Sequence, residues 1–173
     1  MNFLPFLKTA ERAACEAGRM LRENMKTERR VEFKGDVNIV TDFDKKAQEM
    51  IVERISGEFP DHDFLGEENL DKDRGGEFLW MIDPIDGTTN FLHRFPVFCV
   101  SVALEHRDEI VAGVVYDPIR EEIFTASKGG GAFLNREKIS VSCVNDLGQA
   151  MLSTGFPYDI RESRINNIDH FIN

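Results

Sequence analysis

Apolar residues near the start of the chain recur every three or four positions, which is the spacing of one face of an α-helix. They predict a first helix over about residues 4–25, with an apolar stripe made of Leu4, Leu7, Ala10, Ala14, Ala17 and Leu21. After a polar connector, Thr41 and Asp44 have the spacing of a capping box, the side-chain pairing that begins many helices. A second helix is therefore predicted from this box to Phe59, with Asp44 in its first turn and pointing away from the apolar stripe.

From Phe78 onward the pattern changes to short apolar runs bounded by charged, Gly or Pro turns, which is typical of β-strands. The predicted strands cover residues 78–82, 97–104, 109–116, 122–126 and 131–134. Because no helical stretch separates them, they predict an antiparallel meander. Two helices packed on such a sheet make a layered α+β domain.

The last residues begin a further amphipathic helical pattern after Pro157, carried by Ile165, Ile168, Phe171 and Ile172. The sequence stops within this pattern, without a closing turn. We therefore expect an N-terminal α+β domain over residues 1–157, followed at 158–173 by the start of a helix that leads into a C-terminal domain.

The composition, 42 % hydrophobic and 30 % charged residues in a chain of 173, is that of a soluble globular protein. The net charge of −10 argues against a general nucleic-acid binder, which needs clustered Lys and Arg. Cys15, Cys99 and Cys143 are too widely spaced for a metal-binding pair or a disulfide framework, which favours reduced thiols and the cytoplasm. We find no signal-peptide core and no apolar run of membrane length, so no membrane partner is expected.

The densest chemical signal is the run from Trp80 to Phe91. Apolar residues lead into Asp83, Asp86 follows three residues later, and Gly87 permits a tight turn. Two carboxylates with the carbonyl of Ile85 between them suit Mg²⁺, which prefers oxygen ligands. The N–H groups at the start of the next short helix could hold a phosphate. Taken alone, the same run could be an acidic surface turn between two core elements.

Two further acidic positions also follow or begin ordered elements. Glu67 and Glu68 come after the apolar pair Phe64 and Leu65, and Asp44 lies at the start of the second helix. Each alone has an ordinary interpretation, as a solvated turn or as a favourable charge at a helix N-terminus. Burying the three groups together without a cation would cost several kcal/mol per unpaired charge. If they converge, we expect them to converge on a metal ion.

The run DPIDGTTNF at residues 83–91, preceded by GEE at 66–68 and by VT at 40–41 with Asp44, resembles the inositol monophosphatase family. The resemblance extends from the first helix to about Pro157. It implies the N-terminal portion of an αβαβα sandwich, usually in a homodimer. It also implies a Mg²⁺-dependent phosphomonoesterase that hydrolyses inositol monophosphate or related sugar phosphates through attack by metal-activated water.

The resemblance also assigns roles to individual residues. Glu67, Asp83 and the Ile85 carbonyl would bind a first metal ion, and Asp83 and Asp86 would share a second. Asp44, with the hydroxyl of the threonine at position 88, would orient and deprotonate the attacking water. The residues implied in substrate or phosphate binding are Glu67, Ile85, Asp86, Gly87 and Thr88. Those implied near a weaker third metal are Glu68 and Lys34.

One family signature is missing from these residues. The family carries a second motif, a Trp-Asp pair, that supplies the last ligand of the second metal and part of the substrate pocket. Trp80 is the only tryptophan here, so we expect that ligand to lie beyond Asn173. We therefore expect residues 1–173 alone to hold the first metal site and an incomplete second one, without full phosphatase activity. Two other functions stay open: fructose-1,6-bisphosphatase activity in the same superfamily, and a non-catalytic binding role in transcription or RNA processing.

Overall fold

The computed structural model describes residues 1–27, 31–34, 38–67, 70–72 and 75–155, with the backbone alone for 31–34, 38–40 and 70–72. Its two long helices are α1, Leu4–Glu23, and α2, Asp42–Glu58. A short helix, α3, covers Thr88–Leu92, and a 3₁₀ turn covers Leu147–Gln149. Both long helices were predicted within two residues of their observed ends.

The sequence pattern explains both helix starts. Pro5 lies in the first turn of α1, where backbone N–H groups have no partner within the helix, so its lack of an N–H costs nothing there. The capping box of α2 is present as predicted, with Thr41 at the N-cap and Asp44 as its third helical residue. One detail was wrong: Asp44 does not point away from the buried side of α2 but is only 1 % exposed. It belongs to the buried face of α2, whose members are Phe43, Asp44, Ala47, Gln48, Ile51 and Ile55.

Ten strands lie within the described residues. The first two, β1 (Val31–Lys34) and β2 (Asn38–Thr41), pair as an antiparallel hairpin. The other eight form one sheet in the order β10-β9-β8-β7-β6-β5-β3-β4. Their bounds are Asp63–Gly66 (β3), Leu70–Lys72 (β4), Phe78–Asp86 (β5), Cys99–His106 (β6), Ile110–Asp117 (β7), Glu122–Ser127 (β8), Gly131–Leu134 (β9) and Glu137–Ile139 (β10).

The predicted antiparallel meander is confirmed for the five strands from β5 to β9. The sheet as a whole is not purely antiparallel, because β3 lies parallel to β5. A parallel neighbour requires a long crossover or a third segment between the strands, and short-range turn signals do not reveal it. The layered α+β class is confirmed.

The core lies between the sheet and the two long helices. Burial alternates along β6, where Val100, Val102 and Leu104 are fully or almost fully buried. Small residues on α1 let its backbone approach β7 closely, and Gly18 faces the ring of Tyr116. Within the described residues, no helix combines the length and apolar character needed to cross a membrane.

Candidate active site

The parallel pairing of β3 and β5 brings the first two acidic segments together. Because parallel strands point the same way, their carboxyl ends meet at one edge of the sheet. Gly66 pairs with Ile82, and the N–H of Glu67 donates to the Ile82 carbonyl at 3.4 Å. Glu67, the next residue after β3, therefore lies beside Asp83, and the two carboxyl groups share a hydrogen bond.

The surroundings of Asp83 change the pKa of its carboxyl group strongly. Burial, followed by the negative charges of Glu67 and Asp86, raises the pKa of Asp83 from 3.8 to about 7. The hydrogen bond that its Oδ1 accepts from the Ile85 N–H, at 3.2 Å, opposes this shift. Without a cation, the cluster therefore retains a proton near neutral pH.

A β-bulge separates Asp83 from Asp86. Asp83 pairs with Ser101 and Asp86 pairs with Cys99, so three steps along β5 match two along β6. Pro84, which has no N–H, lies inside this irregularity. The bulge leaves the Asp86 carboxylate exposed, and the Cys99 thiol donates to its Oδ2 at 3.6 Å.

Gly87 makes the turn from β5 into α3. Its φ of 102° lies in the left-handed region that favours glycine. A Cβ there would also lie 3.2 Å from the Val97 carbonyl oxygen and 3.3 Å from the Phe98 Cβ. The loop before β6 therefore packs directly against the Gly87 turn. Helix α3 begins at the next residue, Thr88.

Thr88 links the acidic turn to the start of α2. Its hydroxyl oxygen lies 3.0 Å from Asp44 Oδ1 and 3.0 Å from the Ile85 carbonyl oxygen. One hydroxyl proton can serve only one of these acceptors fully at a time. Burial raises the pKa of Asp44, and the hydrogen bonds from Thr41 and Thr88 oppose that rise.

The donor chemistry of this region suits a hard divalent cation. Glu67, Asp83, Asp86 and the Ile85 carbonyl offer only oxygen ligands. The pKa of Asp83 is raised first by burial and then by the neighbouring carboxylates, and a cation would oppose both effects by stabilising the ionised carboxyl. As they stand, however, no three or more His, Cys, Asp or Glu side chains of the described residues are arranged so that they could hold a metal ion. The groups fit Mg²⁺ in chemistry and charge, and their side chains must turn toward a common point to ligate it.

Not every predicted site residue can be located. Glu68, the side chain of Lys34 and the predicted helix at 158–173 lie outside the described residues. The described members of the prediction fall into two adjoining groups. One comprises Glu67, Asp83 and Asp86, and the other comprises Asp44, Thr88 and the Ile85 carbonyl. The remaining predicted residue, Gly87, lies at the N-cap of α3 and joins the two groups along the chain.

The sequence prediction gave two residues beside the site no part in its chemistry or metal binding. Cys99 touches Asp86 because the bulge sets them opposite each other, a pairing that the local sequence does not show. Thr41 was recognised as a helix cap, but its hydroxyl also donates to Asp44 Oδ2 at 2.5 Å. The capping-box spacing was the available signal for that contact.

The fold and this site together define a layered α+β protein with an acidic, oxygen-rich centre at one edge of its sheet. The sequence model of the inositol monophosphatase family matches residues 4–171. The chain belongs to that family.

Individual relatives agree with this assignment. The inositol monophosphatase of Dictyostelium discoideum is 47 % identical over 159 residues, which cover 89 % of this chain and 58 % of the relative. Nus factor SuhB of Escherichia coli (strain K12) is 40 % identical over 161 residues, covering 91 % of this chain and 60 % of the relative. The chain spans about three fifths of the length of these curated relatives.

Solved structures show the same fold. An inositol monophosphatase from Anabaena (Nostoc) superposes with a TM-score of 0.87 at 38 % identity, covering 99 % of this chain and 63 % of that one. The extragenic suppressor protein suhB from Bartonella henselae gives a TM-score of 0.80 at 39 % identity, with 83 % of this chain and 57 % of that one covered.

Proposed function

We propose that the protein is a Mg²⁺-dependent phosphomonoesterase that hydrolyses inositol monophosphate or a related sugar phosphate by direct attack of water. The observation that carries this proposal is the contact between Thr88 and Asp44, set against the carboxylates of Glu67, Asp83 and Asp86. Three separate segments of the chain thus bring a proton acceptor, Asp44, close to the carboxylates proposed to bind the cation.

Thr88 and Asp44 act on the water molecule. When the Thr88 hydroxyl donates to Asp44 Oδ1, its oxygen can still accept a hydrogen bond from water and so orient it. As the water oxygen bonds to phosphorus, its proton moves to Thr88 while the Thr88 proton moves to Asp44. The ester P–O bond breaks in the same displacement, and the leaving sugar oxygen takes a proton from solvent water. The raised pKa of Asp44 makes the ionised carboxylate a better base near neutral pH.

The acidic cluster holds the metal. Glu67, Asp83 and the Ile85 carbonyl would bind the first ion, and Asp83 with Asp86 would share the second. When bound, Mg²⁺ supplies positive charge to the phosphate oxygens and makes a water molecule more acidic. The N–H groups of Gly87 and Thr88 would bind the phosphate. These contacts would orient the substrate without the metal ions.

The substrate and assembly are inferred from the family. We favour an inositol phosphate as the substrate, because relatives named inositol monophosphatase are among the most similar. A cytoplasmic homodimer is proposed from the family resemblance and the widely spaced cysteines alone. Fructose 1,6-bisphosphate is the alternative substrate, and a solved relative carries both activities in its name. Phosphate release from the two substrates at equal concentration separates these possibilities, and a large preference for the bisphosphate would reject our assignment.

Replacing Asp83 by asparagine tests the reaction itself. We expect Asp83→Asn to abolish Mg²⁺-dependent phosphate release, because this carboxylate is assigned to both metal ions. Asp146→Asn is a matched control, since Asp146 lies on an exposed turn where its carboxylate accepts local donors, the Gly148 N–H and the Gln149 side-chain amide. Near-normal turnover in full-length Asp83→Asn, or no Mg²⁺-dependent release by the full-length wild-type protein, would contradict the proposal.

A second candidate function comes from the relatives named Nus factor SuhB, which match at 40 % identity. In that case the protein would act by binding in transcription rather than by catalysis. The net charge of −10 favours a protein partner over direct nucleic-acid contact. If this is its main role, Asp83→Asn should leave the cellular phenotype intact while it removes phosphatase activity.

A further inference from the structure

The two oxygens of Asp44 have different partners. Oδ2 accepts the Thr41 backbone N–H at 2.7 Å and the Thr41 hydroxyl at 2.5 Å. Oδ1 accepts the Thr88 hydroxyl at 3.0 Å. Thr41 and Asp44 are each only 1 % exposed, so water does not compete for these contacts.

This arrangement exceeds an ordinary capping box. In that motif the cap side chain accepts an N–H of the first turn, and the acid three residues later accepts the cap's backbone N–H. Here the Thr41 hydroxyl oxygen accepts the Phe43 N–H at 3.2 Å and also gives its own proton to Asp44. Two donors from one residue therefore occupy the same carboxylate oxygen.

We propose that Thr41 is a positioning residue for catalysis: it fixes the carboxylate of Asp44 so that Oδ1 alone is free to receive the proton passed by Thr88. The inference rests on the proposed function and deepens it. Rotation of the carboxylate plane about the Cβ–Cγ bond would break both hydrogen bonds from Thr41. Hydrogen bonds to a charged group are stronger than neutral ones. The two bonds from Thr41 therefore hold the Asp44 carboxylate in place and favour its ionised form.

A merely structural role for Thr41 must be separated from a positioning role. Thr41→Val removes the hydroxyl at nearly constant volume, and Thr41→Ser keeps it. Thr9→Val is the matched control, because Thr9 is also 1 % exposed and its hydroxyl donates to a carboxylate, Glu58 Oε2, at 2.7 Å. Glu58 is the last residue of α2, at the opposite end of that helix from Asp44.

The first measurement needs no turnover. Carboxyl ¹³C NMR titration of the metal-free protein, with Asp44→Asn to assign the signal, follows the pKa of Asp44 directly. We expect a higher pKa in Thr41→Val and a value close to wild type in both Thr41→Ser and Thr9→Val. An unchanged pKa in Thr41→Val would overturn the proposal. Should that variant not fold, rapid solvent exchange of the Thr41 hydroxyl proton in the wild type would overturn it equally.

The second measurement is the pH profile of phosphate release. We expect kcat to fall about tenfold in Thr41→Val, with the acidic limb displaced to higher pH. Thr41→Ser should restore both, and Thr9→Val should leave the profile in place. If Asp44→Asn stays active, the base assignment in the proposed function fails. If Asp44→Asn is inactive and Thr41→Val behaves like Thr9→Val, only the role of Thr41 fails.

Discussion

The carboxyl group of Asp83 is destabilised in its ionised form by the folding that brings the acidic residues together. Its carboxyl is partly buried beside Glu67 and near Asp86, and its pKa is raised to about 7 from an ordinary 3.8. Between those pH values the metal-free native protein keeps a proton that the unfolded chain has released. Because the native state then binds more protons, its stability falls as the pH rises through that window.

This sign leads to a prediction for Asp83→Asn. The amide cannot ionise, so the variant should lose the part of the pH dependence that Asp83 contributes. In metal-free buffer we expect Asp83→Asn to gain Tm relative to wild type as the pH is raised toward about 7. Thermal melts of both proteins across that range measure the difference, with Asp146→Asn as the control for removal of an exposed charge. A Tm difference between the two proteins that stays constant across this pH range would refute the assignment of the proton to Asp83.

Asp44 shows where sequence reasoning at this scale stops. Its place in the first turn of α2 follows from the spacing to Thr41, which is a local property. Its burial does not, because the partner that covers it is Thr88, forty-four residues away and on α3. The sequence therefore predicted that Asp44 lies in the first turn of α2, but not the direction in which its side chain points.

At the scale of elements, the acidic site is made by the ends of three of them. β3 and β5 end side by side because they are parallel, and the N-terminus of α2 approaches through Thr88. The meander from β6 to β9 was predictable, since each turn between its strands is short and rich in Gly, Pro or charge. The connection from β5 to β6 is longer and contains α3, but the apolar runs of the two strands were still visible in the sequence. The parallel neighbour β3 was not, because α2 lies just before it in the chain and its pairing partner comes after β4.

The packing of α1 against the sheet depends on a glycine. A Cβ at Gly18 would lie 2.6 Å from the Tyr116 ring, whereas one at Gly57 in α2 would meet nothing within 4 Å. We expect Gly18→Ala to destabilise the protein by about 1–3 kcal/mol through overpacking. Gly57→Ala should instead stabilise it by about 0.5–1 kcal/mol, because alanine is the better helix former. Urea unfolding of both variants tests this pair, and equal shifts in the same direction would contradict the close approach of α1 and β7.

At the scale of the whole molecule, the site exists only in the folded chain. Asp44, Glu67 and Asp83 lie on three different segments, so an unfolded chain offers no comparable cluster of oxygen ligands. A cation that binds this cluster therefore binds the native state alone and must raise its stability by mass action. Thermal stability thus reports metal binding without any assumption about the substrate or the reaction.

We expect Mg²⁺ to raise the Tm of the wild-type protein in a saturable way, and a concentration about one hundred times Kd would stabilise it by about 2.7 kcal/mol. Asp83→Asn should show no such gain, because the carboxylate assigned to both ions is gone. Sodium chloride at matched ionic strength controls for screening of the net charge of −10. The same titration also tests whether the carboxylates can rearrange, since the described side chains do not by themselves form a ready ligand set. A flat response in the wild type would mean that Glu67, Asp83 and Asp86 repel one another without ever sharing a cation.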